Sequence, residues 1–105
     1  MIHEFDHYQD RTEETVIYPD DEAVSYLALG LNGEAGEVAE KVKKHKRGDD
    51  IDLTELEGEL GDVLWYLTRL ADELDIRLNE VADANLDKLF DRQERDVLQG
   101  SGDER

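Results

Sequence analysis

The sequence predicts an all-α fold, a single-domain helical bundle whose core is completed by oligomerisation. In two segments the apolar residues recur at alternating steps of three and four, which is the spacing of a helix seam in a bundle. The seams contain Val24, Leu27 or Ala28, Leu31, Ala35, Val38 and Val42, and then Leu53 or Leu56, Leu60, Val63 or Leu64, Leu67, Leu70 or Ala71, and Leu74. Trp65 and Tyr66 widen the second seam, and a helix that is apolar on most sides predicts burial against another subunit, in a homodimer or a homotetramer.

Length and composition restrict the class of protein. The chain has 105 residues, enough for one domain with a core, so a single domain over 1–105 is expected. It has no cysteine, which excludes disulfides and thiolate metal sites. No apolar run approaches membrane-spanning length, and the N-terminus lacks a signal-peptide pattern. We therefore expect a soluble cytoplasmic protein.

The charge of the chain restricts its partners. There are 29 acidic residues against 12 basic ones, for a formal net charge of −17. Such a surface repels nucleic acids and anionic membranes, so neither is an expected partner. An acidic coat is suited to high salt, where screening removes the self-repulsion, and it indicates a halophilic source.

The first helix is predicted over residues 2–13. One side of it contains Ile2, Phe5 and Tyr8, or Gln9 in place of Tyr8. Pro19 then disfavours helix at the residue before it. Asp20 or Asp21 is the predicted N-cap of the long second helix.

Further turns separate the remaining helices. Gly48 ends the second helix, and Asp52 or Thr54 is expected to cap the third. Residues 75–77 turn the chain into a fourth helix over 78–95. The predicted inward face of this helix contains Leu78, Val81 or Ala82, Asn85, Leu86 and Leu89.

Basic residues are concentrated at two places. At the end of the second helix stand Lys41, Lys43, Lys44, Lys46 and Arg47. They either compensate the negative end of the helix dipole, or Lys41 or Lys44 faces a phosphate. Residues 96–105 have no periodicity and are expected to form a flexible tail, unless Arg92, Arg95 and Arg105 close over phosphates around the glycine-rich backbone.

A six-residue motif occurs twice. Residues 33–38 (GEAGEV) recur as residues 58–63 (GELGDV). Each copy has two carboxylates three residues apart, which a helix places on neighbouring turns of one side. Each copy also has two glycines, and a glycine inside a helix costs roughly 0.5–1 kcal/mol relative to alanine. We therefore expect the glycines to leave room where two backbones approach closely and where the carboxylates converge on a bulky positive group.

The short turn between the second and third helices predicts that they pack antiparallel, so that Glu34 and Glu37 face Glu59 and Asp62. Like charges about 4 Å apart repel by about 4 kcal/mol at an effective dielectric constant of about 20, so these carboxylates require proton uptake or a bound cation. Oxygen ligands without histidine or cysteine favour Mg²⁺ or Mn²⁺. Because Mg²⁺ in such sites keeps positions for water and phosphate, a polyphosphate substrate is predicted.

These residues carry a resemblance to a known family. Residues 29–38, followed by residues 59–66, are similar to the E-x-x-E and E-x-x-D helices of the MazG-like nucleoside triphosphate pyrophosphohydrolases. Residues 84–89 resemble the A-N-x-x-K-L segment of that family. The glycine-rich tail resembles the tail of a small single-domain subgroup.

The resemblance implies an all-α, dimeric or tetrameric enzyme that hydrolyses (d)NTPs to (d)NMPs and pyrophosphate with Mg²⁺. Its metal ligands and catalytic carboxylates would be Glu34, Glu37, Glu59 and Asp62. Asn85 and Lys88 would contact the substrate. One carboxylate would orient or deprotonate the attacking water, and Glu37 is preferred because it flanks the seam.

Two alternatives accompany this prediction. The first is phosphoribosyl-ATP pyrophosphohydrolase, which has the same fold and the same use of carboxylates; growth of a histidine-requiring host would separate the two enzymes. The second is a non-enzymatic acidic helical module that binds a partner. In that case, replacing Glu34 and Glu59 by glutamine would leave the stability indifferent to Mg²⁺.

Overall fold

Helices and short helical turns make up the fold. The computed structural model describes residues 3–105, so Ile2, assigned above to the first helix, lies outside the described residues. The helices are α1 (His3–Thr12), α2 (Ala23–Lys46), α3 (Leu53–Glu73) and α4 (Leu78–Glu94). Two short 3₁₀ turns, Glu13–Thr15 and Asp20–Glu22, lie between α1 and α2. No strand occurs among the described residues, and the predicted all-α class is confirmed.

The start of α2 differs from the prediction. Neither Asp20 nor Asp21 caps the helix, because both belong to the 3₁₀ turn that precedes it. This turn follows the extended backbone of Pro19, whose carbonyl oxygen accepts a hydrogen bond from the Glu22 amide at 3.3 Å. Glu22 then precedes Ala23 without a side-chain cap. The acidic residues of the turn still lie at the positive end of the helix dipole.

The start of α3 agrees with the prediction. Asp52 is the N-cap, and its Oδ1 accepts hydrogen bonds from the amides of Thr54 at 2.9 Å and Glu55 at 3.2 Å. These bonds satisfy two of the amides that a helix leaves free in its first turn. The loop before it contains Gly48 with φ 103°, a conformation that favours glycine.

Helices α2 and α3 form the main packing unit, an antiparallel hairpin. Near the loop, Lys41 Nζ lies 3.3 Å from Glu55 Oε2. Farther along, Gly30 lies against the ring of Tyr66. Between these two contacts the residue number falls from 41 to 30 on α2 and rises from 55 to 66 on α3. The two helices therefore run in opposite directions, as predicted.

The buried apolar core lies at the open end of the hairpin. Tyr18, Ala23 and Leu27 form its centre. Four partly buried residues pack against them: Val16, Trp65, Tyr66 and Leu70. Among residues 3–105, no helix has the length and the apolar character that crossing a bilayer requires.

A buried glutamine attaches α1 to the turn between α3 and α4. The amide nitrogen of Gln9 donates hydrogen bonds to Asp72 Oδ1 at 2.9 Å and to the carbonyl oxygen of Ile76 at 3.0 Å. Its amide oxygen accepts a hydrogen bond from the backbone N–H of Leu78 at 2.6 Å. Gln9 thereby satisfies one of the free amides at the start of α4, and the position of α1 is fixed relative to both later helices.

A second polar group is buried beneath α1. Arg69 is only 3% exposed. Its Nε donates to the Tyr18 hydroxyl at 3.1 Å, and its Nη2 lies 3.3 Å from Glu73 and 3.2 Å from Asp72. The buried guanidinium is thus paired with carboxylates, as a charge in a protein interior requires.

Helix α4 does not bury the face that the sequence predicts. Leu78 is buried, but Val81 and Leu86 are 39% and 43% exposed and Asn85 is also exposed. Within one chain the prediction is wrong for Asn85 and Leu86, whereas of the alternatives Val81 and Ala82 it is Ala82 that is half-buried. The reason is that α4 packs mainly on α1 and only weakly on α3. The chain is correspondingly open: its radius of gyration is 16.3 Å, whereas a compact chain of this length has about 13 Å.

Candidate active site

Three carboxylates converge on the α2–α3 hairpin. One oxygen from each of Glu34, Glu59 and Asp62 can be chosen so that all three lie within 4.8 Å of one another. Glu59 and Asp62 stand one turn apart on α3, and the antiparallel register brings Glu34 of α2 opposite them. Glu37, one turn beyond Glu34, is exposed and does not belong to this carboxylate triad. The structure thus brings together three of the four predicted ligands and places the fourth beside them.

The triad has an unfavourable concentration of negative charge. The pKa of Glu34 is raised above its ordinary value, first by burial and then by the charges of Asp62 and Glu59. A hydrogen bond with Glu59 and the charge of Glu37 raise this pKa further. The charges that act on Glu34 in this way are all negative, so a proton or a cation at this point lowers the free energy of the folded chain.

We expect Glu34→Gln to raise the melting temperature of metal-free protein at neutral pH. Because the native pKa is raised, native protein binds the proton more tightly than unfolded protein, and stability falls as pH rises from the ordinary value through the raised one. Glutamine does not titrate, so the variant does not lose stability as pH rises through the raised pKa of Glu34. Its melting temperature in EDTA should therefore depend less on pH between the ordinary and the raised pKa. Thermal unfolding measured from about pH 4 to pH 8 checks this.

A matched control is Glu40→Gln on the same helix. Glu40 pairs with Lys43 at the surface, at 3.3 Å, and a surface pair contributes little to stability. Its pH profile should follow that of wild type. A lower melting temperature for Glu34→Gln in EDTA would contradict the repulsion described here.

The triad fits a divalent cation with oxygen ligands. Oxygen ligands lie about 2.1 Å from Mg²⁺, so two of them on one ion lie at most about 4.2 Å apart. The spread of the three chosen oxygens, within 4.8 Å, is close to this limit, and small side-chain rotations would close the difference. The donor set contains only carboxylates, which suits Mg²⁺ or Mn²⁺ better than softer metals.

Tyr66 borders the triad and was not predicted as a site residue. Its ring lies so close to Gly30 that a Cβ atom added there would be 2.1 Å from Tyr66 Cε1. Its pKa is raised by burial, by a hydrogen bond to Tyr26, and by the charges of Glu34 and Asp62. The sequence signal for this contact was Gly30, one helical turn before Glu34, outside the repeated motif.

Tyr8 of α1 is a second unpredicted neighbour of the triad. Its pKa is raised by burial and then by the charge of Asp62. The sequence indicated only that Tyr8 lies on the apolar side of a short helix. Its position beside Asp62 depends on the attachment of α1 through Gln9, which no local pattern indicates.

The four glycines of the repeated motif are not required by a close contact between helices of this chain. A Cβ atom at Gly33, Gly36, Gly58 or Gly61 would meet no other atom within 4 Å. The interpretation that they allow two backbones of this chain to approach closely is therefore wrong. They leave open space beside the carboxylates instead.

The predicted lysines of α2 lie at the loop end of the hairpin. Lys41 and Lys44 line a cavity of about 150 Å³, together with acidic residues of the loop. Lys41 pairs with Glu55 of α3. Lys41 stands two helical turns beyond Glu34, about 10 Å along the helix. The lysines therefore lie on the loop side of the triad, and the aromatic rings lie on its opposite side.

Three of the predicted substrate residues of α4 contact the C-terminal tail: Lys88, Arg92 and Arg95. Lys88 and Arg92 both bind Asp103, and Arg95 pairs with Asp91 at 2.9 Å. Asn85 is exposed one turn before Lys88. These side chains lie along α4, and within residues 3–105 none of them makes a hydrogen bond or an ion pair with the triad.

The family model of the MazG nucleotide pyrophosphohydrolase domain matches residues 23–96, which include the whole triad. The chain is also similar to the gene 37 protein of Mycobacterium phage L5, at 47% identity over 111 aligned positions, covering 95% of this chain and 97% of that protein. No solved structure matches.

Proposed function

Because this chain belongs to the MazG nucleotide pyrophosphohydrolase family, we propose that it hydrolyses (d)NTPs to (d)NMPs and pyrophosphate in a Mg²⁺-dependent reaction, with Mn²⁺ as a substitute. The observation that carries the proposal is the carboxylate triad on the α2–α3 hairpin. Its open surroundings at the motif glycines leave space for a phosphate chain. Phosphoribosyl-ATP hydrolysis and a purely binding role have no comparable support.

Glu34, Glu59 and Asp62 would hold the cation. When bound, it would neutralise charge on the phosphate oxygens and lower the pKa of a coordinated water. The residues themselves are arranged for this task, because two of them share α3 and the third is fixed opposite by the hairpin. Burial of Glu34 and the charges of Asp62 and Glu59, which together raise the pKa of Glu34, favour binding of a positive ion over an empty state.

Glu37 is the proposed general base. It lies one turn from Glu34 but outside the triad, so its carboxylate remains available to accept a proton from the attacking water. A base must reach the proton it removes, and a position next to the ligands satisfies this requirement. Lys41 and Lys44, farther along the same helix, would attract the leaving pyrophosphate.

We further propose that the protein works as a homo-oligomer, at least a dimer. Three leucines of α3 and the leucine that caps its C-terminus recur every seven residues and remain between 37% and 70% exposed in the single chain: Leu53, Leu60, Leu67 and Leu74. Leucines at this spacing form one stripe along a helix. The open shape of the chain leaves the stripe without cover, and a second copy would bury it. Sedimentation should give at least twice the chain mass of 12.0 kDa; a monomer mass would contradict the proposal.

The function is tested by pyrophosphate release from the eight common NTPs and dNTPs, with Mg²⁺ and with EDTA. We expect metal-dependent release with a preference among the bases. Because salt screens the self-repulsion of a chain with a net charge of −17, the assay is run at low and at molar salt, with helix content checked by circular dichroism. Folded protein that releases no pyrophosphate from any of them would overturn the proposal.

A further inference from the structure

The C-terminal tail folds back onto α4 through one carboxylate. Asp103 Oδ1 lies 2.7 Å from Lys88 Nζ and 2.9 Å from Arg92 Nη2. Arg92 also donates a hydrogen bond to the backbone carbonyl oxygen of Asp103. Two cations of one helix face thus share a single anionic group that comes from 11 to 15 residues farther along the chain.

Arg105 holds the tail in this conformation. Its guanidinium donates hydrogen bonds to three carbonyl oxygens, those of Val97 at 3.1 Å, Leu98 at 2.9 Å and Gly102 at 2.6 Å. Gly102 has φ 84°, which allows the tight turn before Asp103. The tail is therefore a closed loop that presents Asp103 to α4.

The two sides of this contact differ in exposure. The side chain of Arg92 is 5% exposed, whereas that of Asp103 is 77% exposed. The Arg92 side chain is packed against the protein, whereas the Asp103 carboxylate lies at the surface. Lys88 and Arg92 lower the pKa of Asp103 to about 2, so the carboxylate stays charged at any working pH.

The family resemblance already implies that Lys88 contacts the substrate; we propose that Asp103 holds Lys88 and Arg92 as an internal competitor of a phosphate group. A guanidinium and an ammonium at this spacing bind phosphate oxygens by the same charge-assisted hydrogen bonds that they make with a carboxylate. Phosphate brings more charge and more acceptor oxygens than one carboxylate, so it displaces Asp103. The choice of pyrophosphate as the ligand rests on the proposed function, since pyrophosphate is the product of that reaction.

The test measures binding of inorganic pyrophosphate to folded protein by calorimetry, without divalent metal and without turnover. We expect Asp103→Asn to bind it about tenfold more tightly than wild type, which corresponds to a site that is free about one-tenth of the time when Asp103 is present. Adding Lys88→Gln to this variant should remove the gain. Because no hydrolysis is required, failure here leaves the proposed activity untouched.

Glu104→Gln is the matched control, because it removes the same charge from the neighbouring exposed residue of the tail. It should bind pyrophosphate like wild type. If Asp103→Asn binds no more tightly than wild type, or if Glu104→Gln gives the same gain, the tail carboxylate does not compete for this site and the proposal is overturned. Circular dichroism of each variant checks that the helix content of the chain is unchanged.

Discussion

Glu59→Gln is expected to lower metal-dependent pyrophosphate release about a thousandfold. Glu59 belongs to the triad and also raises the pKa of Glu34. Losing one charged ligand of a catalytic cation removes several kcal/mol of transition-state stabilisation, and each 1.4 kcal/mol is about tenfold in rate. The rate of pyrophosphate release under saturating nucleotide and Mg²⁺ measures the effect.

The control for this variant is Glu57→Gln, an exposed acid of the same helix outside the triad. It should keep nearly the whole wild-type rate. Equal loss in both variants would show that general charge on α3, and not the triad, carries the activity.

The variant Glu37→Gln tests whether Glu37 acts as the general base or as a metal ligand. If Glu37 accepts the proton, the variant loses turnover but keeps the rise in melting temperature that Mg²⁺ gives to wild type. Glu59→Gln should lose both. A Glu37→Gln protein that Mg²⁺ no longer stabilises would instead make Glu37 a metal ligand, as the family resemblance alone implies.

Gly30→Ala is expected to destabilise the protein by about 1–3 kcal/mol, the range typical of overpacked sites. The added Cβ would lie 2.1 Å from one ring atom of Tyr66 and 2.5 Å from the next, so the ring or the helix must move. Denaturant unfolding measures the change. Activity should fall as well, because Tyr66 borders the triad.

Gly33→Ala, three residues away on the same helix, is the matched control. A Cβ there meets no atom within 4 Å, so the helix gains the usual preference for alanine, roughly 0.5–1 kcal/mol. A double-mutant cycle that combines Gly30→Ala with Tyr66→Ala shows whether the loss of stability comes from contact with the Tyr66 ring. If Gly30→Ala costs as much without the Tyr66 ring as with it, the ring is not the cause.

The features that the sequence predicted well are those with a local pattern. The seams and Asp52 define α2 and α3, because periodicity and capping act within a few residues. The antiparallel hairpin follows from its short loop, and it brings Glu34, Glu59 and Asp62 together. The short loop thus sets how α2 and α3 face each other, and this arrangement brings the three carboxylates of the site together.

The features that the sequence did not predict depend on distant contacts. Gln9 and Arg69 are polar and would normally lie at the surface, yet both are buried by partners more than fifty residues away. Tyr8 lies near Asp62 because Gln9, together with the contacts of Arg77 to Asp6 and Asp10, attaches its helix. The inward face of α4 was predicted from its own apolar residues, but the direction of α4 is set by α1, and that direction leaves Leu86 exposed.

The attachment of α1 through Gln9 has a consequence for the order of folding. The hairpin contact between Lys41 and Glu55 closes 14 residues of chain, whereas the bond from Leu78 to Gln9 closes 69. Loop closure costs more entropy as the loop lengthens, so α2 and α3 should associate first and α1 should dock last and open first. Native-state hydrogen exchange should therefore show faster exchange in α1 than in the middle of α3; equal protection would mean that the whole chain opens as one unit.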